Sequence, residues 1–179
     1  PEGWVLDDSG VPGLDNPDNG VTEWAGWSFA DNDWWASVDD QRRSEFELAI
    51  GTVAVADSDE YDDKGDPVGT YNAFMSPPPI DISDLETGSV ELGFDSSWRP
   101  ESSQPASIPA SYDGGEPVQV MLWVSNSGNP FYHDHNTNET VIVPLDNPEG
   151  AQNVVLTFGY YDASNNWWWA IDNVVVSGF

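Results

Sequence analysis

Residues 165–176 read NNWWWAIDNVVV. Three consecutive tryptophans run into an acidic residue and then into valines, a composition that marks a strand. On a strand Trp167, Trp169 and Ile171 share one face, and Trp168 and Ala170 share the other. Val174 and Val176 can rejoin the face of Ile171 only if the register shifts at Asp172–Asn173, so a β-bulge is expected there. The bulge would also re-aim the Asp172 carboxylate. On this reading Trp169, with Trp167, fills a core between two sheets, and Trp168 stands on the opposite face, available to a partner.

Working outward, the same signature recurs at 22–30 (TEWAGWSFA), 51–56 (GTVAVA), 70–75 (TYNAFM), 89–98 (SVELGFDSSW), 117–124 (PVQVMLWV), 139–145 (ETVIVPL) and 153–161 (NVVLTFGYY). Clusters of Gly, Pro, Asn and Asp separate these runs. SPPPIDIS (76–83) interrupts pairing and then starts a short strand, because proline has no N–H to give a ladder. YDGGEP (112–117) is a tight turn between two strands. Ser37 to Ala49 is the one stretch that looks helical, a short helix or an exposed loop. The spacing predicts an all-β fold, a two-sheet antiparallel β-sandwich of jelly-roll type. No repeat or linker divides the 179 residues, so one domain over 1–179 is expected. A start at PEGW rather than Met suggests a module excised from a larger multidomain secreted protein, and a monomer is expected.

The chain has no cysteine, which excludes disulfides and thiolate metal sites, and no apolar run long enough to span a bilayer. Its 32 acidic residues face 4 basic ones, a net charge of −28. Such a field repels phosphate backbones and anionic lipid, so neither nucleic acid nor a membrane is an expected partner. It also opposes densely sulfated or uronate polymers unless cations bridge the contact. Neutral or cationic ligands are favoured, and salt or calcium would relieve the self-repulsion.

Two clusters could hold a metal. VAVADSDEYDDKGD (53–66) gathers Asp57, Asp59, Glu60, Asp62, Asp63 and Asp66, and hard cations such as Ca²⁺ take six to eight oxygens from loops of this kind. The spacing is not that of an EF-hand, and the bland alternative is a solvated acidic loop. Asp57, Asp59 and Asp172 are the preferred Ca²⁺ ligands. FYHDHNTNE (131–139) offers His133, His135 and Glu139, a formal two-His, one-carboxylate set for Zn or Fe. These are the only histidines in the chain, so a third imidazole is excluded; otherwise this is a polar loop beside a binding face.

Nucleophile elbows, phosphate loops and cysteine nucleophiles are missing. A pair of carboxylates suited to glycoside hydrolysis is always available among 32 acids and so carries no information. Each arginine is expected to pair with a carboxylate; the alternative is a planar donor beside an aromatic ring, which suits sugar hydroxyls. Of the ten tryptophans, some must leave the core, since adjacent pairs such as Trp34–Trp35 cannot share one face. Exposed indoles on a rigid sheet form ligand platforms. Trp35, Trp98 and Trp168 are the expected platforms, with Arg99, Tyr132 and His133 as polar neighbours.

The order of these motifs is similar to a known group. AVADSD, SPPPIDIS, V-x-L-x-F with a following Trp, and WWWAIDNVVV together resemble secreted bacterial jelly-roll modules of the MAM-like and cleaved-adhesin type. More loosely they resemble calcium-containing carbohydrate-binding modules, whose last strand also reads I-D-(D/N)-V. The likeness spans roughly residues 50–176 and is specific to the fold, not to a ligand. It implies a structural Ca²⁺ held by Asp172 with Asp57 and Asp59. It also implies a non-catalytic appendage of a polysaccharide-degrading enzyme or surface protein, secreted or displayed at the bacterial cell surface.

The expected function is therefore a carbohydrate-binding module that recognises a neutral or weakly charged polysaccharide through exposed tryptophans. The alternative is an adhesion or spacer module that contacts proteins or neighbouring domains. A metal-dependent hydrolase using His133 and His135 is the third reading.

Overall fold

The computed structural model describes residues 2–65, 68–101 and 103–179; Asp66 of the acidic loop lies outside them. In chain order the strands are β1 (Val5–Gly10), β2 (Trp27–Asp31), β3 (Thr52–Asp57), β4 (Tyr71–Ser76), β5 (Ile80–Asp81) and β6 (Glu91–Trp98). They continue with β7 (Pro105–Tyr112), β8 (Val118–Val124), β9 (Asn136–Pro144), β10 (Asn153–Leu156), β11 (Phe158–Ala163) and β12 (Trp168–Ser177). Two short helices, α1 (Asn32–Val38) and α2 (Ser58–Asp62), interrupt them. One sheet has the order β2-β3-β12-β6-β9; the other runs β1-β4-β11-β7-β10-β5, with β8 also on β7. All of these strand pairings are antiparallel, and the two sheets form the expected jelly-roll sandwich. Among the described residues no helix is long and apolar enough to cross a membrane.

The core lies between the sheets and is largely aromatic. Trp169 is fully buried and meets Trp27 at 5.5 Å, Trp98 at 6.1 Å, Trp123 at 5.9 Å and Phe158 at 6.1 Å between ring centroids. Tilted and edge-to-face arrangements of this kind suit the ring quadrupoles. The bulge in β12 is present. Asp172 pairs with Asp95, the register then shifts, and Val175 pairs with Gly93. Asn173 takes φ 52°, a left-handed conformation that Asn tolerates well. The shift sets Val176 opposite the buried Leu92 and leaves Val175 exposed.

Several elements differ from expectation. The run at 22–30 becomes a strand only at Trp27, because Thr22–Trp24 forms a 3-10 turn and Gly26 takes φ +89°. β1, acidic and exposed throughout, shows no alternation to mark it. β7 is implied only by the turn that follows it. Its Pro105 and Pro109 lack donors, and the ladder to β8 shifts at Ile108/Pro109. The acidic loop begins as α2, capped by the Asp57 carboxylate, which accepts from Glu60 N at 3.1 Å.

Of 37–49, read as a short helix or an exposed loop, only Ser37 and Val38 are α-helical and Arg43–Glu45 is a 3-10 turn. The helix is α1, which starts at Asn32, where the Asp31 carboxylate accepts from Trp34 N at 2.9 Å. It ends before the left-handed Gln41 and Arg42. Residues 32–50 lie over the outer face of the β3–β12–β6–β9 region. They are pinned by Thr137 Oγ1 to Glu45 (2.5 Å), Leu48 N to Asn138 Oδ1 (2.9 Å), Asn173 Nδ2 to Leu48 O (3.2 Å) and Ile50 N to Asp172 Oδ2 (2.8 Å). This cover corrects the reading of Trp168. Trp168 does point to the face opposite Trp169, but Trp35 packs edge-on against it at 5.3 Å, and both are 0% exposed.

Candidate functional site

At one end of the sandwich β6 finishes, β8 finishes and β12 begins. The antiparallel register that sets Trp169 opposite Trp98 brings Arg99 beside the start of β12, and Arg99 N donates to Trp168 O at 3.0 Å. The Arg99 guanidinium lies 3.5 Å from the centroid of the Trp167 ring and donates to Gln41 O. It is half-buried, and among the described residues it forms no ion pair, unlike Arg42, Arg43 and Lys64. In a chain with 32 carboxylates, Arg99 is the planar donor on an aromatic ring, not the paired arginine.

The loop after β8 folds back over the same end. Val124 N donates to Phe131 O (2.9 Å), and His133 N donates to Val124 O (3.1 Å). These bonds lay the His133 ring flat on Trp123, with centroids 3.9 Å apart and planes 7° from parallel. Glu139, on β9, meets His133 Nε2 at 2.8 Å and fixes the ring in its plane. His135 Nε2 lies 3.4 Å from Arg42 Nη1, and Arg42 is held by Glu45 at 2.9 Å. The Asp134 carboxyl sits below the usual range, because Tyr132 and the His135 N–H bond to it.

Between these walls is a cup of about 430 Å³. Trp167, Pro100 and Glu101 line it from the β6–β12 side, and Ser125, His133, Asp134 and His135 line it from the loop. Arg99 and Arg42 stand just behind, each in contact with a lining ring. The cup therefore combines a half-buried indole, an imidazole stacked on a second indole, a hydroxyl and two carboxylates. Such a surface offers a flat apolar face surrounded by hydrogen-bond donors and acceptors.

Of the residues expected here, the structure brings together Arg99, Tyr132 and His133. Tyr132 is exposed on the rim loop, and His133 is in the wall. The three expected platforms are corrected: Trp35, Trp98 and Trp168 are each 0% exposed. Trp98 points into the sandwich against Trp169, and Trp35 and Trp168 bury one another beneath the 32–50 cover. The aromatic wall is Trp167, one residue earlier, which precedes β12 and so escapes the alternation of the strand. A proline two residues after Trp98, ending β6, is the one sequence signal that could have pointed to it.

The expected calcium ligands do not form one set. Asp57 is fully buried; its carboxylate accepts from Arg43 at 3.2 Å and from Glu60 N, and Arg43 also pairs with Glu60. Asp57 pairs with Trp168, so Asp172 stands four residues along β12, about 13 Å away at strand spacing. Ca²⁺–oxygen distances of about 2.3–2.6 Å cannot bridge that separation. Asp172 instead accepts from Ile50 N and Asn173 N, which is how the bulge holds the cover in place. Asp59 is linked through Asn165 Nδ2 to Asp62. His133 and Glu139 do meet, but His135 faces a guanidinium, which opposes a dication beside it. Among the described residues no group of three or more metal-ligating side chains converges.

No protein-family model matches the sequence, and no curated protein matches it. Among solved structures the chain is similar to a cleaved adhesin domain of Lys-gingipain from Porphyromonas gingivalis, with a TM-score of 0.59 and 14% identity over 100% of this chain and 92% of that one. It is similar to TmCBM61, solved in complex with β-1,4-galactotriose, with a TM-score of 0.56 and 10% identity over 99% of this chain and 90% of that one. It is also similar to a Stig cyclase from Fischerella sp. TAU, with a TM-score of 0.53 and 13% identity over 98% of this chain and 84% of that one. The likeness to adhesin-type and carbohydrate-binding jelly rolls implied by the sequence is thus borne out at the level of the fold. A fold shared with an adhesin, a glycan-bound module and a cyclase does not choose among them.

Proposed function

We propose that the protein is a non-catalytic glycan-binding module, secreted or displayed at a bacterial surface, that holds a neutral or weakly charged polysaccharide in the cup. The observation that carries this reading is Trp167: a half-buried indole lining the cup, fixed by a stacked guanidinium that has no carboxylate of its own among the described residues. A ring held in this way offers sugar C–H faces a preorganised platform, at little cost in side-chain ordering. Ser125, Glu101, Asp134 and His133 supply the partners that hydroxyls need. The likeness to a galactotriose-bound module supports the same reading.

Calorimetry against a panel of neutral plant and marine polysaccharides tests it. Trp167→Ala and His133→Ala are each expected to weaken binding by about tenfold or more, with melting temperatures close to that of the unsubstituted protein for Trp167→Ala. Binding left intact by both substitutions would remove the cup from the function. A second reading, adhesion to a protein, draws on Phe131 and Tyr132, adjacent and both exposed on the rim loop. Protection of those two rings by an attached domain, with no response to any glycan, would favour it.

A further inference from the structure

A second aromatic surface lies away from the cup, where the free edges of the two sheets come together. β1 ends the order of one sheet and β2 that of the other. Beside them is a groove of about 590 Å³, lined by Leu6, Trp24, Trp27, Phe29 and Trp34 with the acidic side chains of Glu23 and Asp31. Trp34 is 52% exposed, whereas Trp24, at 6%, is buried. Their rings stack with centroids 6.2 Å apart and planes 14° from parallel. The exposed indole is thus backed by a buried one, as Trp167 is backed by Arg99. Neither Trp34's exposure nor its orientation is needed by the core: its neighbour Trp35 does the packing against Trp168.

The polar groups at this groove select its ligand. Asp31 and Glu23 are acceptors, and no lysine, arginine or histidine lines it. Asp31 uses one oxygen on Trp34 N, and Ser28 spends its hydroxyl hydrogen on Glu23 O. An occupant must therefore bring hydrogen-bond donors and a flat apolar face. It must also carry no negative charge, given two carboxylates at the rim and a net charge of −28. A neutral pyranose meets all three conditions.

We propose that this groove is a second sugar-binding site, separate from the cup, in which Trp34 stacks on a neutral pyranose and Asp31 and Glu23 accept from its hydroxyls. The proposal rests on the glycan-binding reading for its choice of ligand, but it concerns different residues. Two sites on one module would raise the avidity for long chains without any gain at either site.

Titration calorimetry with short neutral oligosaccharides of the gluco-, manno-, xylo- and galacto- series separates the two sites. The unsubstituted protein is expected to take up two equivalents. Trp34→Ala should take up one, retained at the cup, and Trp167→Ala should take up one, retained at the groove. Trp34→Ala on the Trp167→Ala background should abolish uptake. Affinity for the long polysaccharide should fall by about tenfold or more in either single variant, through lost avidity. Ile50→Ala, at another exposed apolar side chain, serves as the control and should change nothing. A Trp34→Ala variant with unchanged stoichiometry and unchanged polysaccharide affinity overturns the second site while leaving the cup intact. Loss on Trp34→Ala with none on Trp167→Ala overturns the cup and keeps the groove. A groove that binds a basic peptide and no oligosaccharide overturns the sugar assignment, as does failure of every oligosaccharide to bind.

Discussion

Arg43 lies between the indoles of Trp35 and Trp168, 5.2 and 5.4 Å from their centroids, with its guanidinium on Asp57 and Glu60. Arg99 is half-buried on Trp167 with no such partner among the described residues. Removing Arg43 strands two carboxylates, one of them fully buried, so Arg43→Ala is expected to lower stability by about 3–5 kcal/mol. Arg99→Ala should cost about 1 kcal/mol or less and weaken glycan binding instead. Urea titrations of both variants check the contrast.

The same ion cluster sets a pH dependence. Burial pushes the Asp57 carboxyl up to about 7 against the pull of Arg43. Burial, with repulsion from Asp62, Asp63 and Glu60, pushes Asp59 up to about 6. A carboxyl whose folded pKa lies above its unfolded value of about 3.9 holds its proton more tightly when folded. Its stabilising contribution is full below pH ~4 and is lost as pH rises through the folded value. Glu45, held at about 2 by Arg42 and Thr137, acts in the opposite sense but only at lower pH. The melting temperature is therefore expected to fall between about pH 4 and pH 7 and to level off above, and Asp59→Asn should flatten that slope and raise the value at pH 8. An unchanged slope in Asp59→Asn would show that Asp59 titrates normally.

Among the elements, the 32–50 cover and the β12 bulge depend on each other. The bulge turns Asp172 and Asn173 toward the cover, where they bind Ile50 N and Leu48 O; Asn173 Nδ2 also reaches Asp95 at 2.8 Å. Without the cover, Trp168 would stand on an open sheet face. Asn173→Val places a β-branched side chain at φ 52° and removes both amide bonds, so a loss of about 1–3 kcal/mol is expected. Asn173→Gly loses the same two amide bonds but adopts φ 52° without strain, so it should lose less. Chemical denaturation of the two variants separates the strain from the hydrogen bonds.

Across the whole molecule the charge of −28 is opposed mainly at one place. Three of the four basic side chains, Arg42, Arg43 and Arg99, gather at the cup end, while Lys64 stands apart near Asp18 at 3.8 Å. The rest of the surface repels itself, and salt screens that repulsion. Moving from low salt to about 0.5 M NaCl, where the Debye length is only a few ångströms, should raise the melting temperature. Affinity for a neutral glycan should change little, because no ion pair forms on binding. A fall in stability with salt would mean that attractive pairs outweigh the self-repulsion.

The sequence by itself determined the strand class, the sandwich, the β12 bulge and the opposite faces of Trp168 and Trp169, because these follow from periodicity and from which residues tolerate left-handed φ. Trp167, expected in the core with Trp169, instead lines the cup, because β12 starts only at Trp168. The sequence named Arg99, Tyr132 and His133 as polar neighbours of one site, but set them beside Trp35, Trp98 and Trp168, which the fold buries. It could not say which outward tryptophan stays outside. Trp168 and Trp34 both leave the sandwich core, yet one is buried and the other is 52% exposed, because only one lies beneath a segment from the far end of the chain, residues 32–50. For the same reason it could not separate Asp57 from Asp172: both are acidic residues on adjacent strands, and only the pairing register shows that they never meet. Burial of an outer sheet face and the assembly of a ligand set are properties of long-range packing, so the tertiary structure alone decided them.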